Sequence, residues 1–245
     1  MCRVYDLHAD TEQLAQQFEV ELPFFPPNYS IKTTLNGLVI RQDQAGKKAG
    51  AILRWGLVPA WAKDQKIGSS LVNARAETVA EKPAFRTALK KRRCLVLANG
   101  FYEAKAITQK EKQYNYIHLQ DNQPFAFAGL WERWAQGGEV LETFTICTTE
   151  PNPLMAKIHN RMPVIVQPAE YDVWLDPEVP PGALLDTILS SREYAGQVAD
   201  QVTNRAWTRE GNSPEAVEAV KTRAECAEPT SAAKTQNIVG MHGRA

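Results

Sequence analysis

Cys2, the second residue of the chain, combines two reactive groups once Met1 is removed. Its small side chain permits that removal, which leaves a free α-amine next to a thiol. The amine has a reference pKa of about 8, so its neutral fraction near pH 7 can attack an aldehyde to form an imine. The thiol can then close a thiazolidine ring. Many proteins have cysteine at position two, so an incidental Cys2 remains an alternative at this point.

Another group of polar residues lies in the segment SLVNARAET, residues 70–78. Asn73, Arg75 and Glu77 alternate there after an apolar pair, so in an extended chain their side chains point to one side. Such a row can contact a substrate. The same pattern is also typical of a polar strand end with a satisfied ion pair.

A carboxylate, Glu103, follows an apolar run in RRCLVLANGFYEAK. The run breaks at Asn99-Gly100, and Phe101 and Tyr102 precede the glutamate. Partial desolvation beside two aromatic rings raises a carboxyl pKa and suits it to proton transfer. The alternative is an exposed glutamate that begins a turn.

His159 and Arg161 occur together in TTEPNPLMAKIHNRMPVIV, where we expect a helix to end at Ile158 before another apolar run. His159 is the best-placed general acid or base of the chain, and Arg161 is its best-placed phosphate ligand. A lone histidine in a loop is more often structural than catalytic. The combination of this segment with the two before it favours a functional site.

A local basic run and two tryptophans favour contact with nucleic acid. No acidic residue interrupts the run, although its usual meaning is a solvated helix face. In the neighbouring WGLVPAWAK, we expect Trp55 to be a core residue and Trp61 to stack on bases. The basic residues are Lys82, Arg86, Lys90, Lys91, Arg92 and Arg93.

The composition bounds the remaining possibilities. The 245 residues include 28 basic and 28 acidic side chains, so no overall field draws the protein to DNA or to an anionic membrane. We expect no membrane span, no secretory leader and a cytoplasmic location, with association to the nucleoid only on damaged DNA. Cys2, Cys94, Cys147 and Cys226 are far apart without a CxxC pair, which predicts free thiols, no metal site and no cofactor.

Apolar periodicity predicts an α+β fold with curved, largely antiparallel sheets. Asp10 is expected to cap a helix with Leu14 and Phe18 on one face. Further helices are predicted in KPAFRTALKK, with Pro83 in its first turn, in PAEYDVWL and in GALLDTILSS. The predicted strands are GLVI, AGAILRW, CLVLA, YNYIHL, FAFAGLW and TFTICTT.

The composition changes at Ser213. The segment from there to the end is small, polar and free of aromatic residues, so it cannot bury enough apolar area to offset its ordering entropy. We therefore expect one domain over residues 1–212 and a disordered tail over residues 213–245.

Taken together, these segments resemble the SOS-response-associated peptidase (SRAP) family of abasic-site-processing proteins over residues 1–207. The resemblance implies a single domain with a barrel-like β core flanked by helices. It also implies a processed Cys2 that forms a reversible thiazolidine link to a ring-opened abasic sugar in single-stranded DNA. The motifs that carry it are Met1-Cys2, WGLVPAW, NARAET, RCLVLANGFYE, AGLWERW and HNRMPVIV.

The resemblance also implies roles for individual residues. Cys2 is the nucleophile, Asn73 positions the amino terminus or the opened sugar, and Glu103 assists Met1 removal and proton transfer. His159 protonates the sugar oxygen. Arg75 and Arg161 are phosphate ligands, and the other expected DNA contacts are Trp61 and Arg3.

Three departures from the family pattern concern DNA contacts. Arg3 and Val4 replace the usual Gly-Arg after Cys2, the Tyr-Asn-x-x-Pro signature is absent near PNYSIKTT, and Ala104 replaces an aromatic residue. Two other functions remain open, a self-processing or general peptidase with an amino-terminal cysteine and a non-catalytic reader of damaged or modified DNA. A monomer that needs no partner other than abasic single-stranded DNA is expected.

Overall fold

Two β-sheets pack against each other in the computed structural model, which describes residues 2–190, 192–194, 196–208 and 211–219. The helices are α1 (Thr11–Phe18), α2 (Arg86–Lys91), α3 (Tyr171–Leu175) and α4 (Pro181–Leu185). The strands are β1 (Val4–Leu7), β2 (Asn28–Lys32), β3 (Asn36–Gln42), β4 (Lys48–Trp55), β5 (Asn73–Arg75), β6 (Arg93–Ala98), β7 (Gly100–Ala106), β8 (Lys112–Leu119), β9 (Phe125–Gln136), β10 (Glu139–Thr149), β11 (Met162–Pro163), β12 (Ile165–Val166) and β13 (Gln197–Val202).

The larger sheet closes into a barrel. β10 pairs with both β4 and β9, and the path β4–β3–β6–β9 connects those two strands. Neighbours in this ring are antiparallel except for β10 and β4, which run parallel. β6 is buried along its whole length, because α3 covers its outer face and Trp174 donates a hydrogen bond of 2.8 Å to the Cys94 carbonyl. The barrel is therefore packed on both surfaces at β6.

The smaller sheet has the antiparallel order β13–β8–β7–β1–β2. Tyr5 of β1 joins it to the barrel, since its ring packs edge-on against Trp55 at 5.2 Å and Phe127 at 6.0 Å. The Tyr5 hydroxyl lies against Gly37, where a Cβ would come within 2.1 Å of it. Only glycine fits at this position, and the contact fixes the strand that follows Cys2.

The predicted fold class and strands are confirmed. The structure is α+β with a barrel-like core, and the six predicted strand runs lie within β3, β4, β6, β8, β9 and β10. α1 forms as expected, because the Asp10 side chain accepts the Glu12 N–H at 2.7 Å. Leu14 and Phe18 are both buried on one face of that helix.

Four predicted helices differ in extent. α2 begins only at Arg86, because the residues around Pro83 form tight turns in which the Phe85 N–H bonds to the Lys82 carbonyl at 2.9 Å. The segment before Ile158 is a single 3-10 turn, Met155–Lys157. In PAEYDVWL a 3-10 turn leads into α3, and in GALLDTILSS the helix ends at Leu185.

The basic run divides into two parts. Arg92 forms an ion pair with Glu132. Arg93 is buried and donates to the carbonyls of Leu89 at 2.6 Å and Trp174 at 2.5 Å. These two arginines hold the fold together and are engaged within the protein. The remaining members are exposed, as expected for a solvated face: Lys82, Arg86, Lys90 and Lys91.

The first residues of the predicted tail contact the domain. Ala216 is buried against Val4, Tyr102 and Val202, and Ala219 forms an isolated bridge with Val202. These contacts favour a domain end near residue 219. The disordered tail remains a prediction for residues 220–245, which lie outside the described residues, as does Cys226.

Two truncations test where the domain ends. Removing residues 220–245 should leave the thermal unfolding temperature unchanged. Removing residues 213–245 should lower it by about 2–4 °C, because loss of the Ala216 contacts costs about 1 kcal/mol. Calorimetric unfolding of the two truncated proteins measures this difference, and equal unfolding temperatures would contradict the boundary near residue 219.

Candidate functional site

Cys2 lies immediately before β1, and the pairing of β1 with β7 brings it near Glu103. The strands are antiparallel with Tyr5 opposite Phe101, so the same register continued toward the amino terminus brings Arg3 opposite Glu103 and Cys2 one residue further. Glu103 is near enough for its charge to raise the pKa of the Cys2 thiol. Glu103 is only 6% exposed and lies inside β7. The alternative of an exposed glutamate at a turn is therefore wrong. The site combines a buried carboxylate with the amino-terminal cysteine.

Asn73 joins the two sheets at this point. It is the first residue of β5, which pairs in parallel with β10 so that Asn73 lies opposite Ile146. Its side-chain Nδ2 donates to the Cys2 carbonyl at 2.9 Å. Its Oδ1 is buried and accepts no hydrogen bond within the described part of the chain. One face of the amide thus holds the Cys2 backbone, and the other can accept a further donor.

The Cys2 thiol is fully buried, with Sγ 3.8 Å from the Val4 carbonyl oxygen. Burial, and next the negative charge of Glu103, raise the pKa of the thiol well above its ordinary value. The thiol is therefore protonated near neutral pH. This agrees with the expected order, in which the α-amine attacks first and the thiol closes the ring afterwards.

His159 lies in the loop before β11, which pairs with the end of β10 through Met162 and Thr149. The Arg161 N–H donates to His159 Nδ1 at 3.1 Å. Because Nδ1 accepts this hydrogen bond, the proton of the neutral ring is on Nε2. In that tautomer Nε2 is a hydrogen-bond donor.

Arg161 is held by Glu77. Its two terminal nitrogens lie 2.6 and 2.9 Å from the two carboxylate oxygens, and one of them also donates to the Thr148 carbonyl at 2.7 Å. β5 and β11 both pair with β10, so this strand brings NARAET and HNRMP together. Glu77 of the NARAET segment does form an ion pair, as the alternative interpretation expected, but the partner Arg161 was not predicted.

Three of the predicted DNA contacts are exposed. Arg3 and Arg75 are accessible to solvent at the amino terminus and at the end of β5. Trp61 is 58% exposed, whereas Trp55 is buried in the core as expected. The Trp61 loop is anchored by a 2.7 Å hydrogen bond from Trp134 to the Ala62 carbonyl.

Trp61 is separate from the residues around Cys2. Trp134 lies opposite Leu141 of β10, and Asn73 lies opposite Ile146 of the same strand. The five intervening steps correspond to about 17 Å along the strand. Trp61 is therefore not part of the group of residues around Cys2.

Sequence reasoning did not identify the contribution of β10. The Thr148 carbonyl accepts from both Arg161 and the Ala76 N–H, the latter at 2.8 Å, and Thr149 lines a cleft beside Glu77. The available signal was the apolar run TFTICTT, which ends in two threonines and lies in the chain between the polar motifs NARAET and HNRMP. Threonine is also a common strand residue, so the signal has little specificity.

The chemistry of the other side chains is limited. Among the described residues no three His, Cys, Asp or Glu side chains are grouped as a metal site requires. No described helix has the length and apolarity to cross a membrane. Cys2, Cys94 and Cys147 are buried free thiols, in agreement with the predicted thiol state.

Comparison with known proteins identifies the family. The family model described as SOS response associated peptidase (SRAP) matches residues 1–205. The chain belongs to the SRAP family. It is 40% identical to the abasic site processing protein YoqW of Bacillus subtilis (strain 168) over 224 residues, which cover 89% of this chain and 99% of that protein. It is also 40% identical over 225 residues to the abasic site processing protein YoaM of the same organism, with 89% and 98% covered.

A solved structure supports the SRAP fold. A crystal structure of a protein from Bacteroides thetaiotaomicron superposes with a TM-score of 0.80 and 25% identity. The alignment covers 90% of this chain and all of the other. The two-sheet architecture is therefore shared between this SRAP chain and an independently determined structure.

The hydrogen bond between the sheets of this SRAP domain can be tested by stability. Asn73→Ala should lower the unfolding temperature by about 2–4 °C, because an unsatisfied Cys2 carbonyl costs about 1 kcal/mol or slightly more. Asn160→Ala is the matched control, since Asn160 is exposed in the loop beside the site. Thermal unfolding of both variants measures the difference, and an unchanged Asn73→Ala protein would refute the structural role.

Proposed function

We propose that this protein captures abasic sites in single-stranded DNA as a reversible thiazolidine adduct of Cys2. The observation that carries the proposal is the Asn73 amide, which holds the Cys2 backbone at 2.9 Å. Glu103 lies buried beside the same residue. The names of the relatives, abasic site processing proteins, agree with an aldehyde-bearing sugar as the target.

The reactive amine is produced by hydrolysis of the Met1–Cys2 peptide bond. In this step Glu103 accepts a proton from the attacking water and passes it to the departing Cys2 amine. Asn73 Oδ1, which is buried and accepts no hydrogen bond within the described residues, is then able to accept an N–H of the new amine. This step gives the peptidase in the family name a substrate within the chain itself.

The amine, rather than the thiol, begins the reaction with DNA. His159 protonates the ring oxygen of the abasic sugar and favours its open aldehyde. The amine adds to the aldehyde carbon, and loss of water gives an imine. The buried thiol then adds to the imine carbon, its proton passes to the nitrogen, and a thiazolidine forms. The thiol does not have to be ionised beforehand, because thiol and imine belong to the same residue and react at a high effective concentration.

The exposed groups guide the strand. Arg75 binds a phosphate near the reacting sugar, Arg3 supplies a further basic contact, and Trp61 stacks on a base further along the strand. These contacts do not read base edges, so they confer affinity without sequence choice. Removal of the adduct by the reverse reaction returns an unmodified amine and thiol.

A denaturing gel tests the function directly. Incubation with a single strand that contains one abasic site should give a covalent band, and mass spectrometry should show loss of Met1 and a DNA-derived mass on the Cys2 peptide. A protein that only reads damaged DNA, with Cys2 incidental, gives no such band. A peptidase without DNA chemistry loses Met1 but forms no adduct.

Separate removal of thiol and amine provides the sharpest prediction. Cys2→Ala with Met1 removed should form only an imine, which hydrolyses or leads to strand cleavage unless borohydride traps it. Cys2→Ser should behave similarly, since a hydroxyl is a much weaker nucleophile than a thiol. An uncleavable tag ahead of Cys2 should abolish both adducts and keep non-covalent binding. Normal adduct yield from the amine-blocked protein would exclude Cys2 as the attachment point.

His159→Ala is expected to slow adduct formation and adduct reversal together, each by at least about tenfold, because one proton transfer serves both directions. Time courses of formation on abasic DNA, and of release into excess competitor, measure the two rates. A variant slowed in only one direction would assign His159 a different step.

Arg75→Ala should weaken binding to undamaged single strands and reduce the slope of log affinity against log salt by about 0.7. Adduct yield should recover at saturating DNA. Fluorescence anisotropy at several salt concentrations measures the slope. If binding is unchanged and adduct formation collapses, Arg75 acts in the chemistry instead.

A further inference from the structure

The guanidinium of Arg161 is already occupied by an anion from the same chain. Both carboxylate oxygens of Glu77 accept from it, at 2.6 and 2.9 Å, in the forked geometry with which arginine also binds phosphate. The Arg161 side chain is 13% exposed and the Glu77 side chain is 43% exposed. The buried arginine is thus fixed, and the carboxylate is the partner with access to solvent.

The pair is charged in the free protein. Partial burial acts to raise the pKa of Glu77, but the hydrogen bonds and positive charge of Arg161 outweigh it and lower the pKa below its ordinary value. Arg75 contributes a smaller effect in the same direction. The carboxylate is therefore ionised at neutral pH, and it cancels the charge that Arg161 would offer to DNA.

The surroundings allow the carboxylate to leave without unfolding the site. The Thr148 carbonyl accepts independently from Arg161 at 2.7 Å, so the guanidinium keeps an anchor on β10. A cleft of about 400 Å³ opens beside Glu77, lined by Ala76, Thr149, Glu150, Leu185, Leu189 and Ser190. A displaced carboxylate has solvent-accessible room there, whereas Arg161 has a fixed position.

We propose that Glu77 is an intramolecular competitor of the DNA backbone for Arg161, and that it sets the affinity of the protein for single strands. A phosphate gains this guanidinium only by displacing Glu77. The inference rests on the proposed function, together with the role of phosphate ligand that the SRAP resemblance implies for Arg161. Weak binding to undamaged strands is the consequence, so that prolonged residence requires the covalent bond.

A positioning role of Glu77 predicts the opposite change in DNA affinity. If Glu77 serves only to hold Arg161 in a productive orientation, removing its charge loosens the arginine and weakens DNA binding. If the competitor role is correct, the same change releases Arg161 to the phosphate and tightens binding. The sign of the effect therefore distinguishes the two roles.

The test uses the full chain and an undamaged, fluorescein-labelled single strand, with affinity measured by anisotropy. Glu77→Gln keeps the size of the side chain and removes its charge, so affinity should rise about three- to tenfold. Glu139→Gln, at an exposed hairpin position of β10, is the matched control for loss of one negative charge. It should change affinity by less than about twofold at physiological salt, where distant charges are screened.

A double substitution shows whether Glu77 acts through Arg161. In an Arg161→Ala background, Glu77→Gln should give no gain in affinity beyond that of Glu139→Gln, because the guanidinium for which Glu77 and the phosphate compete is absent. Equal gains in affinity with and without Arg161 would mean that only the overall charge of the protein matters, and they would overturn the proposal. Unchanged or weaker DNA binding by Glu77→Gln alone would also overturn it. If Glu77→Gln unfolds, Glu77→Asp provides the same test, since the shorter carboxylate pairs less well.

The outcome is separable from that of the proposed function. Wild-type protein is incubated in parallel with an abasic strand and analysed on a denaturing gel. A covalent band with no gain from Glu77→Gln refutes only the competitor role. A gain in affinity for undamaged DNA without any covalent band supports the competitor role and refutes the capture chemistry.

Discussion

The hydrogen bond from Asn73 Nδ2 to the Cys2 carbonyl is the constraint on which the site depends. Cys2 precedes a strand of the smaller sheet, and Asn73 begins a strand attached to the barrel. An amino terminus ordinarily frays, because its backbone lacks partners on one side. Here a side-chain donor and the Tyr5 contact with Gly37 and Trp55 fix it between two packed sheets. The residue that must react is thereby held by the tertiary fold.

Burial divides the chemistry between the two groups of Cys2. The same packing that fixes the backbone surrounds the thiol and raises its pKa. A protonated, enclosed thiol is a poor first nucleophile and a poor target for oxidants. The α-amine, once released, has no such penalty from its own side chain. In the proposed reaction, the order amine first and thiol second therefore agrees with the buried position of Sγ.

The elements that depend on a local sequence pattern were predicted correctly. Six apolar runs lie in strands, and Asp10 caps α1, because alternation and capping act over a few residues. Closure of the barrel through the parallel β10–β4 pair was not predictable in register, since it joins distant segments. The Glu77–Arg161 pair spans 84 positions and was missed for the same reason. The burial of the Cys2 thiol was not predicted, because burial is a property of the assembled fold.

The charge distribution explains how a protein with equal numbers of acidic and basic side chains can act on DNA. Several arginines are neutralised internally, among them Arg41 by Glu142, Arg92 by Glu132 and Arg192 by Glu170. Cations such as Lys82, Arg86, Lys90 and Lys91 remain exposed, but the chain has no net positive charge to reinforce them. Electrostatic affinity rises with the number of phosphates neutralised and does not depend on whether a base is missing. In the proposed function, selectivity for damage therefore comes from the chemistry at Cys2, because only a strand that carries an aldehyde can be retained by a covalent bond.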